Sequence, residues 1–202
     1  MVGIDFIVNT VLNEHNEILR VASGDLEAAH HTLIELALRN RTIEIPEQAE
    51  IVLTTNGGWP LDQNFYQSVK GLGVVTRLER PLIKEGGVII LVTRCEEGFG
   101  HHTTWVNRLS AASSPTEFLE QLYASNYEPV VDDWQAQVLA RVLEKNEVIV
   151  VSEGLSETGI TSLNMSYARS IEHALELAKT IVGRDAGIVV LPSGPAVLPL
   201  PP

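Results

Sequence analysis

Apolar residues alternate with polar ones, only partly, from Phe6 to Leu12, and the run is rich in β-formers. Asn13-Glu-His-Asn16 is a polar turn, and Ile18 to Ala22 reads as the returning strand of a hairpin. The spacing then lengthens. Leu26, Ala29, Leu33, Leu36 and Ala37 recur at helical intervals, and Asp25 stands where it can cap that helix. Arg39 to Pro46 reads as a connector. A hairpin and one helix cannot bury much, so residues 1–45 are expected to pack on something else, in this chain or in a partner domain.

From Glu50 the pattern is that of alternating strands and helices. Ile51 to Thr55 is a short apolar strand, followed by a Gly-Gly-Trp-Pro loop and a helix from about Gln63 to Leu72. Gly87 to Thr93 is a fully apolar strand, as expected where both faces of a sheet are covered. A Gly-rich stretch, Cys95 to His102, comes next. Helices are predicted over Pro115–Tyr123, with Pro near the first turn, and over Trp134–Leu143, with Trp134, Val138, Leu139 and Val142 on one side. Glu147 to Ser152 is a third strand, Ser170 to Val182 a helix, and Gly187 to Leu191 a fourth strand. This order predicts an α/β fold: a three-layer, Rossmann-like, mostly parallel sheet with helices on both faces, preceded by a β-hairpin and helix. The expected organisation is residues 1–45 as the hairpin-helix segment, 46–192 as the α/β domain and 193–202 as a Pro-rich tail. That tail cannot form regular helix or a central strand.

Composition narrows the partners. The chain has 202 residues, 45% hydrophobic, with a formal charge of −12. That field repels phosphate backbones and anionic membranes, so neither nucleic acid nor membrane is an expected partner. An anionic ligand would need locally placed cations. One cysteine, Cys95, excludes an intrachain disulfide and a paired-cysteine zinc site. It fits a reducing compartment. No apolar run reaches the roughly 20 residues that span a bilayer, and Met1 to Phe6 carries no basic-then-apolar leader. A cytoplasmic location is expected.

Ligands of open parallel sheets sit beyond the carboxyl ends of the strands. Three glycine-containing loops qualify: Asn56 to Asp62, Glu96 to His102, and Glu153 to Gly159. Asp62 is placed to cap the helix after the first loop. On that helix Phe65, Val69 and Leu72 form the core stripe, while Gln63, Tyr66, Gln67 and Lys70 share another face. An ammonium, two amides and a phenol are what a hydroxycarboxylate needs for charge pairing and orientation. A solvated polar face has the same spacing.

The run Asn56-Gly-Gly-Trp-Pro-Leu-Asp-Gln-Asn-Phe-Tyr-Gln-Ser-Val-Lys70 resembles the signature of the nickel-pincer-dependent lactate racemase family, approximately Asn-Gly-Gly-Tyr-Pro-Leu-Asp-Gln-Asn-x-Tyr-Gln-x-x-Lys-Gly. Trp59 departs from the usual Tyr. Phe6 to Asn13, Gly24-Asp25, Lys84 to Ile90, Trp134 to Arg141 and the Leu191-Pro-Ser-Gly-Pro195 run agree, so the resemblance covers essentially the whole chain. It implies a C-terminal, substrate-side domain of a 2-hydroxyacid racemase or epimerase, with the hairpin-helix segment 1–45 belonging to the end of the family's N-terminal domain. Tyr66, Gln67 and Lys70 would bind a small 2-hydroxy acid, with Lys70 on its carboxylate. Trp134 is the natural match for a family tryptophan that approaches the site and could contact the cofactor; by spacing it serves equally as helix packing.

The resemblance further implies proton-coupled hydride transfer through a nickel-pincer nucleotide (pyridinium-3,5-bisthiocarboxylic acid mononucleotide nickel). The base and the nickel ligands belong to a nickel-binding N-terminal domain that precedes this segment. No catalytic base and no metal ligand are therefore assigned to this chain, and the fragment is expected to be inactive alone. The alternative is an isolated non-catalytic module or weak carboxylate binder. Met1 would mark either a cut in a longer protein or the start of a split gene. The interface left open by the missing half would be partly apolar, so self-association is expected.

Six histidines remain: His15, His30, His31, His101, His102 and His173. Adjacent residues on a helix point about 100° apart, so His30 and His31 cannot easily share a metal. His101-His102, after the Gly-rich loop, is the one independent metal or acid–base candidate. Cys95 at a strand end reads as a buried thiol, with those histidines as the only sequence-near base. Glu96 and Glu97 read as loop charges, and Ser152-Glu-Gly154 could touch a ligand.

Overall fold

The computed structural model describes residues 3–13, 15–77 and 81–200. In chain order the elements are β1 (Ile7–Leu12), β2 (Ile18–Gly24), α1 (Leu26–Arg41), β3 (Thr42–Glu44), β4 (Ala49–Thr55), α2 (Phe65–Ser68), α3 (Lys70–Thr76), β5 (Ile83–Val92), α4 (Thr104–Ala111), α5 (Pro115–Leu122), α6 (Asp133–Leu143), β6 (Glu147–Val151), α7 (Glu157–Thr161), β7 (Ser166–Ala168), α8 (Ile171–Val182), β8 (Ile188–Leu191) and β9 (Leu198–Leu200). They fall into two compact units. One holds the described residues up to Glu44 with Ala196–Leu200, and the other runs from Ile45 to Pro195.

In the first unit β1 and β2 pair antiparallel, with Thr10 opposite Val21 and a bulge between Val11 and Leu12. Asp25 caps α1, its carboxylate accepting from the backbone N–H of Glu27 and Ala28. Val11 buries against the side of the helix that carries Ala29 and Leu33. The helix continues to Arg41, past the predicted connector start at Arg39, because Arg39, Asn40 and Arg41 all tolerate helix at an exposed end. The Pro-rich end of the chain is not wholly irregular: β9 pairs parallel with β3, placing Pro199 opposite Ile43. A two-stranded sheet has no central strand, so the missing N–H of Pro199 is tolerated.

The second unit is a five-stranded parallel sheet in the order β7-β6-β5-β4-β8. Ile51, Leu53, Val88, Ile90 and Ile149 point to one face and pack with Ala174 and Ala178 of α8. Their neighbours Val52, Ile89, Leu91, Val148 and Val150 point to the other and are also fully buried. There α3 lies close enough that a Cβ on Gly71 would touch Leu91 Cδ1 at 3.8 Å. Covering both faces explains why these strands read as unbroken apolar runs. Each such Ile or Leu contributes about 1.5–3 kcal/mol of burial. The expected α/β sheet flanked by helices, preceded by a hairpin and helix, is what the chain forms.

Three local expectations need correction. The single helix predicted over 63–72 is two, α2 and α3, joined at Val69. Leu72 N–H bonds back to Val69 O, a tightened turn between them. On α6 the buried stripe is Gln135, Ala136, Leu139, Ala140 and Val142, whereas Trp134 is 46% exposed. Gln135 takes the inward place because its amide reaches a backbone carbonyl on α2. Finally, α4, α7 and β7 are additional elements. β7 is only three residues long, and α4 begins with the β-branched pair Thr103-Thr104, so neither pattern stands out in sequence.

The chain runs from β4 outward to β5, β6 and β7, then returns to place β8 on the other side of β4. The reversal lies at β4 and β8, whose carboxyl ends are joined by an Asn56–Ser193 bridge and by the Thr55 hydroxyl donating to Pro192 O at 2.6 Å.

Candidate functional site

The loop after β4 crosses the carboxyl end of the sheet. Gly57 and Gly58 have φ of 81° and 92°, a backbone that glycine adopts without strain. The Trp59–Pro60 peptide is cis, and Trp59 is exposed. Asn56 fixes the loop. Its Nδ2 donates to Leu61 O and to Gln67 O, each at 2.9 Å, so one buried amide holds both the loop and α2.

The cap of α2 is Asn64, not Asp62 as the sequence suggested. Asn64 Oδ1 accepts from Gln67 N at 3.1 Å, and its Nδ2 donates to Glu97 Oε2 at 3.1 Å. The chain is still turning at Pro60–Gln63, so the helix starts later than the spacing implied. Asp62 is buried, and its backbone carbonyl accepts from Cys95 N at 2.8 Å. Phe65 N–H donates to Gly98 O and Glu97 N–H to Gln63 O, each at 2.9 Å, so the first two glycine loops interlock. The third loop joins them. Gly154 N–H donates to Arg94 O at 2.9 Å, and a Cβ on Gly154 would lie 1.8 Å from Cys95 O.

On this frame Phe65, Val69 and Leu72 are fully buried, as the core stripe requires. Tyr66, Gln67 and Lys70 lie on the other side and meet one another. Lys70 Nζ donates to Gln67 Oε1 at 2.6 Å and sits 5.4 Å from the centroid of the Tyr66 ring. Trp134 stands edge-on to Tyr66, ring centroids 6.2 Å apart. Behind them Trp105 is fully buried, stacked on Phe65 at 6.1 Å and edge-on to Tyr66 at 6.5 Å. The structure therefore brings Tyr66, Gln67, Lys70 and Trp134 together, whereas Gln63, expected on the same helix face, lies in the turn before α2.

Two further residues hold the cluster and were not legible as site residues. Gln135 Nε2 donates to Tyr66 O at 2.9 Å, tying α6 to α2. Asp132 adopts φ 68° and accepts the Tyr66 hydroxyl on Oδ1 at 3.2 Å. Desolvation, then the Asp132 charge and its hydrogen bond, push the Tyr66 phenol above its ordinary pKa. The one available signal was the Asp132-Asp133 pair at a helix start, where one carboxylate is more than a cap requires.

Lys70 spends one N–H on Gln67 and can offer two more, and the amide group of Gln67 adds a donor. Tyr66 presents a phenol oxygen. An ammonium, an amide and a phenol converge as a carboxylate with an adjacent hydroxyl demands.

His101 and His102 are exposed. Among the described residues no three His, Cys, Asp or Glu side chains gather to hold a metal. Cys95 is buried with φ 52°, its sulfur 3.3 Å from Thr93 Oγ1 and 3.5 Å from Ser68 Oγ. Burial pushes its thiol pKa up, opposite to what a thiolate nucleophile needs. Ser152 spends its hydroxyl on Arg94 O at 3.0 Å. No helix among the described residues is long and apolar enough to cross a membrane.

Comparison with known proteins gives a consistent picture. A family model described as the lactate racemase C-terminal domain matches residues 45–198. The lactate racemase of Lactiplantibacillus plantarum is 35% identical over 194 residues, covering 96% of this chain and 44% of that protein. The lactate racemase of Thermoanaerobacterium thermosaccharolyticum is 33% identical over the same length and shares. The solved lactate racemase apoprotein from that organism superposes with a TM-score of 0.87, covering 97% of this chain and 46% of that one, at 33% identity. A crystal structure of a Thermotoga maritima protein shares the fold at a TM-score of 0.61 and 15% identity, over 98% of this chain and 49% of that one. This chain thus spans less than half the length of the curated relatives it matches.

Proposed function

Because this chain belongs to the lactate racemase C-terminal domain family, we propose that it is the substrate-side half of a 2-hydroxyacid racemase or epimerase. The observation that carries this reading is the meeting of Tyr66, Gln67, Lys70 and Trp134 at the carboxyl end of the sheet. Lys70 binds the substrate carboxylate, Gln67 orients the ammonium and adds a donor, and Tyr66 addresses the hydroxyl. Trp134 closes one side and faces the cofactor.

The cofactor proposed for the reaction is the nickel-pincer nucleotide, which would supply proton-coupled hydride transfer when bound. Among the described residues no three His, Cys, Asp or Glu gather to hold a metal, and this chain is given no metal ligand in the proposal. The cofactor's ligands and the proton-transferring base are assigned to an N-terminal half such as the longer relatives have room for. No step through the cofactor is built from the residues present here.

Residues 1–45 are proposed to associate with that preceding half. The family model starts at residue 45, while the similarity to the relatives runs over 194 residues. The hairpin unit also leaves Ile4, Phe6, Val8, Ile18, Leu19 and Val21 exposed, an apolar surface suited to burial against a partner. Alone, the chain is a carboxylate binder without turnover, and it self-associates through such surfaces in the cytoplasm.

The test is to join or coexpress the chain with an N-terminal half from a lactate racemase relative and follow loss of optical activity of L-lactate. Racemisation by the joined protein, and its loss in Lys70→Ala, are expected. Undiminished turnover in Lys70→Ala would remove the role given to Lys70.

A further inference from the structure

Asp132 is the first residue before α6, where an aspartate ordinarily turns back to cap the helix. Here it makes no cap hydrogen bond. Its φ of 68° is a left-handed conformation uncommon for a residue with a side chain. Its neighbour Asp133 ties down the loop before the helix instead: Asp133 Oδ2 accepts from Val130 N at 2.6 Å and lies 3.6 Å from Arg108 Nη1. The backbone conformation thus leaves the Asp132 carboxylate for another task, and it faces the hydroxyl of Tyr66 at 3.2 Å.

An ionised carboxylate only accepts hydrogen bonds, so the phenol must be the donor in this pair. That fixes the one proton of Tyr66 away from the ligand. What the phenol offers the site is its lone pairs. Lys70, at the start of α3, supplies only donors, and Gln67 on α2 adds its amide N–H groups, one lone pair of its Oε1 being taken by Lys70. The site therefore has a defined polarity: donors for a carboxylate, and an acceptor for the group beside it.

We infer that Asp132 is a positioning residue that makes Tyr66 an acceptor, so that the site selects 2-hydroxy acids over the corresponding 2-oxo acids. A 2-hydroxyl group donates to Tyr66 Oη. A 2-oxo group meets it lone pair to lone pair. This rests on the reading of Tyr66, Gln67 and Lys70 as the substrate cluster, and it goes beyond that reading by naming which oxidation state of the substrate the domain holds.

The test uses the 202-residue chain with Asp132→Gly and Asp132→Asn, both at ease in left-handed backbone. Lactate and pyruvate are titrated in turn, followed by NMR. The Tyr66 phenol is titrated by ultraviolet difference against Tyr66→Phe. The wild-type chain is expected to hold lactate more tightly than pyruvate. Asp132→Gly should lower that ratio by about 3- to 10-fold, the worth of one oriented neutral hydrogen bond. Asp132→Asn keeps an acceptor and should keep most of the preference, while Lys70→Ala weakens both acids alike. The phenol should titrate at lower pH in both Asp132 variants. Binding of both acids with an unchanged ratio and an unchanged phenol titration in Asp132→Gly overturns the role of Asp132 alone. Binding of neither acid by the wild-type chain overturns the substrate-cluster reading together with the selectivity built on it.

Discussion

Asn56 Oδ1 lies 2.2 Å from where a Cβ on Gly71 would stand. The bare edge of Gly71 on α3 is what lets the Asn56 amide lie flat between loop and helix and donate to both Leu61 O and Gln67 O. Gly71→Ala should drive a methyl group into that amide and destabilise the chain by about 1–3 kcal/mol through overpacking. Asn56→Ala takes the side-chain donor from two part-buried carbonyls, at about 1–3 kcal/mol for each left unsatisfied. Urea denaturation of both variants measures this. A midpoint shift worth under about 0.5 kcal/mol, the range of an ordinary surface change, would refute the arrangement.

The start of α2 distinguishes two cap assignments. Asn64→Ala should cost about 1 kcal/mol for the lost cap. It should also free Glu97, whose carboxylate accepts from Asn64 Nδ2, loosening the neighbouring glycine loop. Asp62→Ala leaves the cap bond to Gln67 N untouched. Amide exchange at Gln67 reports the difference directly: faster in Asn64→Ala, and near the wild-type rate in Asp62→Ala. The reverse pattern would restore the cap to Asp62.

The sheet was legible because its strands are buried on both faces, and uninterrupted runs such as Val88 to Leu91 have few other readings. The pairing of Tyr66, Gln67 and Lys70 on one side was legible because helical spacing survives the tightened turn at Val69. Asp132 was not. Its place in the site depends on how α6 docks against α2, through Gln135 and the Tyr66 backbone, a tertiary contact spanning 69 positions. The spacing of α6 puts Trp134 on an apolar stripe, yet nothing local tells which side of the helix faces inward. Gln135, a polar residue, won that side by satisfying a carbonyl.

Lys70 is the proposed carboxylate ligand in a chain of net charge −12. Without it the site keeps two neutral groups and a surrounding negative field. Lys70→Ala should weaken lactate binding by about 10- to 100-fold, the span expected for one charge-assisted hydrogen bond. Added salt should weaken wild-type binding more than binding to the variant. Calorimetry at two ionic strengths checks both. Equal salt dependence in the two proteins would mean that the carboxylate is held elsewhere.

Cys95 links the site frame to pH. Its thiol is fully buried under the loop crossing, and burial raises its pKa above the ordinary value. Hydrogen bonds with Thr93 and Ser68 act the other way but are outweighed. The unfolded chain therefore gives up the thiol proton at lower pH than the folded chain. Above the unfolded pKa the folded state binds more protons, and the slope of unfolding free energy with pH is negative. The stability contribution is complete below the unfolded pKa and is lost as pH rises through the folded one. Denaturant midpoints should fall from about pH 8.5 upward, and Cys95→Ser or Cys95→Ala should flatten that fall. Labelling with a thiol reagent at pH 8 should be slow in the native chain and quick in urea. Rapid native labelling would mean that the crossing of the three loops opens in solution, and the frame that holds Asn64 and α2 would be looser than its hydrogen bonds imply.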